Sequence, residues 1–426
     1  MKSKISPWAW ISTLYFAEGL PYFIVNTISV MMFKRLGMEN GPLAFWTSLL
    51  YLPWVIKPFW SPFVDILGTK RRWIVWMQVL LSVCFAATAL SISPTFFALP
   101  LIIFWITAFA SATHDIAADG FYMLALDHKE QAFFVGIRST FYRLSSIFGQ
   151  GILVFLAGYL ERRLGNIPLA WKITLFSSSV LFALITLYHV YLLPRPAEDA
   201  LRSGEVRRTA QDIFREFGRT FATFFTKKYI WIAMLFMLLF RLPEALSVKM
   251  LSPFLLDPLS AGGLGLATDQ VGLAYGTIGI IGLTVGGILG GIAASRWGLR
   301  KSMLPMVCCV AIPCLVYVYL AVAQPSSFWV ISGCICLDQF GYGFGFTAYL
   351  LYLIWFSEGE FKTSHYSLCT AFMALSMMIP GFFAGWLQEA LGYTGFFILV
   401  MACSILSIGI TALAARKVPQ KVQNLF

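Results

Sequence analysis

The sequence predicts an all-α integral membrane protein in which twelve transmembrane helices form two pseudo-symmetric bundles of six. Composition, a succession of long apolar segments and an internal repeat lead to this fold class. Of the 426 residues, 59% are hydrophobic and only 12% are charged, and the mean hydropathy is +0.77. A soluble globular chain carries about 25% charged residues. The composition therefore excludes a soluble enzyme, a disordered chain and a nucleic-acid-binding module, so no nucleic acid partner is expected.

Twelve apolar segments are long enough to cross a membrane, which takes about 20 residues of helix. Some segments nearly merge, so eleven or thirteen spans are alternatives. We expect the first segment to stay in the protein, because it is long for a signal peptide and carries Glu18. The predicted spans are 8–33, 43–66, 73–92, 97–126, 132–158, 168–193, 229–252, 268–295, 302–323, 326–356, 363–387 and 393–415.

The distribution of lysine and arginine predicts the orientation, because cytoplasmic loops are enriched in both residues. With a cytoplasmic N-terminus, the inner segments hold 21 of them, eight in the loop 194–228, and the outer segments hold five. Both termini are therefore expected in the cytoplasm. The five outer residues are Lys34, Arg35, Arg162, Arg163 and Lys172.

The longest polar stretch divides the chain near its middle. We expect an N-terminal six-helix bundle at 1–193, a cytoplasmic linker at 194–228 and a C-terminal six-helix bundle at 229–426. From about Thr209 the linker is amphipathic, with phenylalanines at helical spacing between basic residues. This pattern predicts a helix that lies on the cytoplasmic leaflet.

An internal repeat supports the two halves. Gly68 and Gly298 are 230 residues apart in equivalent short loops, after spans two and eight. The sequences Gly19-Leu20-Pro21 in span one and Arg241-Leu242-Pro243 in span seven are offset by 222. On span eight, small residues at every fourth position predict close helix packing. They are Gly282, Gly286 and Gly290.

Ionisable residues inside the predicted spans are the candidate functional residues, since each costs at least ~3 kcal/mol near the bilayer centre. Asp115 and Asp119 on span four share one helix face. Arg138 and Arg143 on span five are their expected partners. The two aspartates either couple transport to protons or form a static gate or salt bridge, and these readings remain open. Glu18, which precedes the Gly-Pro break of span one, is expected to line a cavity as a third proton-coupling or gating residue.

The remaining intramembrane charges are candidates for substrate binding or for a charge network. Lys57 on span two either extends to the interface or pairs with a carboxylate or an anionic substrate. Arg241 and Glu244 flank Pro243 and could simply pair with each other. Asp338 precedes three glycines on span ten, a pattern that predicts a flexible or interrupted helix.

The eight cysteines all lie in predicted spans without metal-ligand spacing, so they are expected to be packing residues. No metal site and no cofactor are predicted. The chain also has no phosphate-binding loop. An ion gradient is therefore the expected source of energy.

The two short loops resemble the cytoplasmic signature of the major facilitator superfamily, which combines a Gly, an Asp, a second Gly and a basic cluster. Ser61, Ile66 and Ser295 depart from it. In that superfamily the two halves rock around a central site. The residues that carry the resemblance are Asp65, Gly68, Arg71 and Arg72 in the first copy, and Gly291, Gly298, Arg300 and Lys301 in the second.

Four segments carry a more specific resemblance, namely residues 16–22, 57–65, 111–120 and 142–144. They are similar to segments of AmpG-type permeases and the related acetyl-CoA transporters. Residues 16–22 resemble the start of their span one, and 57–65 resemble their Lys-Phe-x-Trp-[Ala/Ser]-Pro-x-x-Asp motif. Residues 111–120 resemble their Gln-Asp-Ile-x-x-Asp motif, with His114 in place of Gln, and 142–144 match Tyr-Arg-Leu. The resemblance maps their paired aspartates, span-two lysine and span-five arginine onto Asp115, Asp119, Lys57 and Arg143.

The resemblance implies a monomeric secondary transporter, not an enzyme, in the bacterial cytoplasmic membrane. It would import anhydromuropeptides, which are anionic sugar-peptides from the recycled cell wall, with protons by alternating access. Its expected partners are this small molecule, protons and membrane lipids. Alternatives are a transporter of another anionic or amphiphilic solute, such as an acyl-CoA, siderophore or peptide, or a membrane-embedded transferase that uses His114, Asp115 and Asp119 around a metal.

Overall fold

A computed structural model describes residues 5–93, 95–196, 199, 210–359 and 361–419. Their contacts group them into two compact units. The first unit comprises 1–37 and 56–207, and the second comprises 38–55 and 208–426. The predicted boundaries at 193 and 229 stay a prediction. Residues 38–55, which the sequence places in the first bundle, cluster with the second unit.

The described residues of the first unit form eight α-helices, of which α4 starts at Leu52, before the unit resumes at residue 56. Turns of π-helix at Ile24–Ile28 and Ile147–Leu153 continue spans one and five. The helices are α1 (Ile11–Phe23), α2 (Ser29–Arg35), α4 (Leu52–Ile66), α5 (Lys70–Ser91), α6 (Ala98–Ala125), α7 (His128–Ser146), α8 (Val154–Leu164) and α9 (Ile167–Leu192).

Within its described residues the second unit contains ten α-helices, again with a π-helical turn, at Ala274–Gly279 in span eight. The helices are α3 (Asn40–Leu49), α10 (Ala210–Phe225), α11 (Ile230–Leu239), α12 (Leu242–Leu256), α13 (Thr268–Leu273), α14 (Ile280–Trp297), α15 (Leu299–Ala311), α16 (Leu315–Ala323), α17 (Phe328–Ser357) and α18 (Lys362–Lys417).

Nine helical segments of the described residues are long and apolar enough to cross a membrane. The last, Ser364–Lys417, has 54 residues and a non-helical Gly392 (φ 67°). At 1.5 Å per residue it is about 80 Å long, more than twice a bilayer core of about 30 Å. It therefore has the length of the two predicted spans eleven and twelve. The all-helical membrane fold is confirmed, while the exact number of twelve spans stays a prediction.

Predicted span two consists of two helices: α3 lies in the second unit, and α4 begins in the second unit and continues in the first from residue 56. The break precedes Pro53, which fits the first turn of a helix but not its interior. In α3, the Asn40 side-chain amide donates to Gln388 Oε1 (2.6 Å) and to the Tyr393 hydroxyl (3.1 Å). A Cβ on Gly385 would clash with the Asn40 carbonyl oxygen. These contacts hold α3 against α18.

The predicted amphipathic helix of the linker is present as α10. Phe224 is fully buried and packs against Phe356 and Phe372, with ring centroids 5.8 and 6.2 Å apart. After α10, the Lys227 amine donates to the carbonyls of Phe356 (2.6 Å) and Glu358 (2.9 Å). The end of this helix is thus anchored in the core of the second unit. Residues 197, 198 and 200–209 of the linker lie outside the described residues.

The sequence predicts a flexible or interrupted span ten, and the interruption is wrong, because α17 runs unbroken from Phe328 to Ser357. A Cβ at Gly341 would meet the carbonyl oxygen of Cys309, and one at Gly343 would meet that of Leu283. The glycines therefore permit close packing of α17 on its neighbours. The predicted packing of span eight is confirmed by contacts of the same kind: Gly282, Gly286 and Gly290 face the carbonyl oxygens of Cys336, Phe340 and Phe344.

Candidate functional site

Glu18 occupies a tightly packed position on α1. The adjacent Gly19 brings α1 so close to α7 that a Cβ there would clash with the Ser145 hydroxyl and lie 3.1 Å from the Tyr142 ring. Glu18 is only 7% exposed, and its Oε2 accepts no hydrogen bond from any described residue. Its carboxyl group is thus enclosed with incomplete hydrogen bonding.

Two aspartates face the same region from α6. Asp115 Oδ2 lies 3.8 Å from Lys57 Nζ on α4, a distance of electrostatic attraction beyond hydrogen bonding. Asp119 Oδ1 accepts a hydrogen bond of 2.8 Å from Arg138 Nη2 on α7, and the Tyr15 hydroxyl lies 3.3 Å from the same oxygen. The predicted pairing between spans four and five is present for Asp119.

Arg138 lies over two aromatic rings. Its Cζ is 4.4 Å from the centroid of the Tyr15 ring and 5.2 Å from that of Tyr122. Contacts of this type attract a cation to the ring face and restrict the side chain. The Asp119–Arg138 pair is consequently held more firmly than the Asp115–Lys57 pair. Arg143, five residues further along α7, is half-buried.

The three carboxyl groups interact through space. Glu18 is within electrostatic reach of Asp115 and Asp119, and also of Lys57 and Arg138. Like charges at this range oppose simultaneous ionisation, and the cations offset part of that repulsion. We name Glu18, Asp115, Asp119, Lys57 and Arg138 the acid–base cluster of the first unit. Such a cluster can take up and release a proton or exchange an internal ion pair for a charged ligand.

His114 belongs to a separate chain of hydrogen bonds that the sequence did not indicate. The Gln78 amide nitrogen lies 3.0 Å from His114 Nε2, and the Gln78 carbonyl oxygen lies 3.0 Å from His189 Nδ1. His189 Nε2 in turn lies 2.9 Å from the Thr13 hydroxyl. The side chains of Gln78, His114 and His189 are all buried. This chain links α1, α5, α6 and α9 and fixes α6 next to Asp115.

In the second unit, Arg241 and Glu244 form a bidentate pair. Arg241 Nε and Nη2 donate to the two carboxylate oxygens at 2.7 and 2.8 Å. Nη2 also donates to the Tyr342 hydroxyl (3.0 Å), and the guanidinium lies 4.9 Å from the centroid of the Phe346 ring. The simple mutual pairing considered from the sequence is therefore observed.

Asp338 and Lys249 are buried in the same unit, and neither forms an ion pair with a described residue. Asp338 Oδ2 accepts a hydrogen bond of 2.7 Å from the Tyr317 hydroxyl. The Lys249 amine donates to the Thr47 hydroxyl at 3.2 Å. Tyr317, like Tyr15, escaped prediction because an uncharged tyrosine in an apolar helix resembles a packing residue.

The first of the two signature loops joins α4 to α5. Gly68 lies in it, while the side chain of Asp65 is outside the description. Arg71 Nε donates to the carbonyl of Leu193 (3.2 Å), just after α9. The backbone amide of Arg72 donates to Thr69, which caps α5. These contacts cap the start of α5 and connect it to the end of α9.

The second signature loop joins α14 to α15. Gly298 has φ 74°, a conformation that favours glycine. Gly291 lies within α14, and Arg300 and Lys301 are exposed in the first turn of α15. No three His, Cys, Asp or Glu residues in the described part of the chain converge as a metal site requires.

Comparison with known proteins identifies the family. The model of the Major Facilitator Superfamily matches residues 11–354. The anhydromuropeptide permease of Escherichia coli strain K12 is 23% identical over 92% of this chain and 76% of its own length. A putative transporter AmpG 4 of Rickettsia conorii is 22% identical over 93% of each chain.

A solved structure shares the fold. A POT family transporter in complex with 5-aminolevulinic acid covers 95% of this chain and 94% of its own, with a TM-score of 0.71 and 12% identity. The chain thus belongs to the major facilitator superfamily and is a multi-pass inner-membrane transporter of a small molecule.

Proposed function

We propose that this permease imports anhydromuropeptides across the cytoplasmic membrane together with protons, by alternating access of its two halves. The names of the relatives support the substrate class, since one is an anhydromuropeptide permease and another a putative AmpG transporter. The main observation in support of proton coupling is the acid–base cluster of the first unit. It contains three carboxyl groups of unequal pairing within one bundle.

Glu18 is the carboxyl group we assign to the proton. It is buried, and no Lys or Arg of the described residues forms an ion pair with it. Asp119, by contrast, is hydrogen-bonded to Arg138 at 2.8 Å. A buried carboxyl group without a cation favours its protonated form, whereas a paired one favours ionisation. Asp119 and Arg138 are therefore assigned a gating or structural role.

Lys57 is assigned to the anionic solute. Its ammonium group is 3.8 Å from Asp115, so the pair is loose enough for a carboxylate of the sugar-peptide to displace the aspartate. Once displaced, Asp115 no longer has the Lys57 ammonium group beside it, and its affinity for a proton increases. Solute binding and proton binding would then support each other, as symport requires. Arg143 in the first unit and the Arg241–Glu244 pair in the second unit are each assigned to the charge network of their own unit.

Orientation and assembly complete the proposal. The 21 inner and five outer basic residues support cytoplasmic termini. We further propose that the chain works as a monomer in contact with membrane lipids, as two six-helix halves joined by the linker.

Uptake by proteoliposomes tests this function. Purified protein is reconstituted, and accumulation of radiolabelled anhydromuropeptide is measured with and without an imposed proton gradient, against protein-free liposomes. We expect accumulation only with protein and the gradient. Absence of uptake by protein shown to be folded would refute the substrate. Entry that ignores the gradient would refute the coupling.

A further inference from the structure

Asp338 differs from the paired acids of the molecule. It is 8% exposed in the middle of α17, and no Lys, Arg or His of the described residues forms an ion pair with it. Glu244 has Arg241 at 2.7 Å, Asp119 has Arg138 at 2.8 Å, and Asp115 has Lys57 at 3.8 Å. Asp338 is thus a buried acid in the second unit that lacks the compensation given to those three.

The partners of Asp338 are neutral. Oδ2 accepts hydrogen bonds from the Tyr317 hydroxyl (2.7 Å) and the Gln339 amide (3.2 Å). Oδ1 faces only the Cys314 thiol, whose sulfur is 3.8 Å away, a weak contact. Oδ2 is therefore well supplied with donors, and Oδ1 is nearly bare.

The other titratable groups around this site do not supply a positive charge. Cys314 and Tyr317 come from span nine, and Tyr275 faces Tyr317 from span eight. Glu244 on α12 is within electrostatic reach of Asp338, and it is itself acidic. Arg241 is engaged by both carboxylate oxygens of Glu244. A carboxylate at position 338 would thus be buried, without a cation, beside a second acid.

A buried carboxyl group in such surroundings sheds its charge by binding a proton. We propose that Asp338 is a proton-binding site, with the proton on Oδ1 and with Oδ2 as the carbonyl oxygen that accepts from Tyr317 and Gln339. Release converts the acid to a carboxylate and passes the proton to water. The site lies in a different unit from Glu18 and its neighbours.

This inference deepens the proposed function, and only its contribution to coupling rests on that function. If the permease is a symporter, Asp338 provides a second titrating group besides Glu18. Protonation of Asp338 itself depends on no particular solute. The two parts can therefore be tested separately.

Infrared difference spectroscopy of the reconstituted protein tests the proton without any solute. We expect the wild type to gain, as the pH is lowered below neutral, a C=O band of a protonated carboxylic acid that Asp338→Asn does not gain. Tyr317→Phe should keep this band and move it to higher frequency, because the carbonyl oxygen loses its hydroxyl donor. Glu358→Gln, which alters an exposed acid 3.4 Å from Lys362, is the matched control and should leave the band unchanged.

Loss of a carboxylate band rather than an acid band in Asp338→Asn would overturn the proposal. If that variant does not fold, an acid band that is unmoved in Tyr317→Phe would overturn it equally. For the role in coupling, Asp338→Asn should keep solute exchange and shift the pH dependence of gradient-driven uptake. An unchanged pH profile would refute that role. Failure of the wild type to transport anhydromuropeptide would refute the substrate and leave the infrared result standing.

Discussion

Glu18, Asp115 and Asp119 carry the same carboxyl group but meet different neighbours. Asp119 has an arginine held over two tyrosine rings, Asp115 has a lysine at 3.8 Å, and Glu18 forms no ion pair with a Lys or Arg of the described residues. The residue types and the Asp119–Arg138 pairing could be predicted from spacing on adjacent spans. The unequal pairing could not, because it depends on how far α4 and α7 lie from α6.

Replacing Glu18 by glutamine should separate transport from the proton gradient. The side chain keeps its size and loses its ability to bind and release a proton. We expect gradient-driven accumulation to fall by about tenfold or more, within the usual range of coupling between two ligands, while solute exchange persists. Proteoliposome uptake and counterflow measure both, with Glu358→Gln as the control. Undiminished accumulation by Glu18→Gln would remove Glu18 from the coupling.

Replacing Asp119 by asparagine should leave Arg138 without its ion pair. The two side chains are 40% and 30% exposed, so we expect a loss of only about 1 kcal/mol in the free energy of unfolding. The double variant with Arg138→Gln should lose less than the sum of the two single variants, because they share one interaction. Thermal unfolding in detergent measures the cycle. Strict additivity would show that the contact contributes nothing to stability.

At the scale of elements, the glycines of span ten show why sequence alone misled. Glycine breaks helices in water, and this property suggested an interrupted span. In a membrane, glycine also lets backbones approach closely, and Gly343 faces the Leu283 carbonyl on α14. The same logic predicted the packing of span eight correctly. Which property dominates depends on whether a neighbouring helix lies against the glycine.

Gly343→Ala should therefore destabilise the protein, by about 1–3 kcal/mol for an overpacked contact. Gly333→Ala on the same helix is the matched control, because a Cβ there meets nothing within 4 Å. It should be neutral or stabilising by up to about 1 kcal/mol. The melting temperatures of the two variants in lipid report the difference. Equal melting temperatures would argue against close packing of α17 at Gly343.

For the whole molecule, composition and hydropathy were sufficient to predict an all-helical membrane fold, and short motifs were sufficient for the family. Details set by tertiary contacts were not predictable. Residues 38–55 cluster with the second unit because the Asn40 backbone packs against Gly385, which no hydropathy pattern reveals. The burial of Phe224 in the core of the second unit likewise depends on tertiary contacts that no hydropathy pattern reveals. The hydrogen-bonded chain through Gln78 and His189 joins residues too far apart in sequence to be paired by inspection.

The central claim is that one protein moves anhydromuropeptide and protons together. The most direct measurement is the internal pH of proteoliposomes after anhydromuropeptide is added outside, with no proton gradient imposed. We expect the interior to become more acidic as the solute enters, and we expect this acidification to be lost in Glu18→Gln. Entry of the solute at constant internal pH would contradict it.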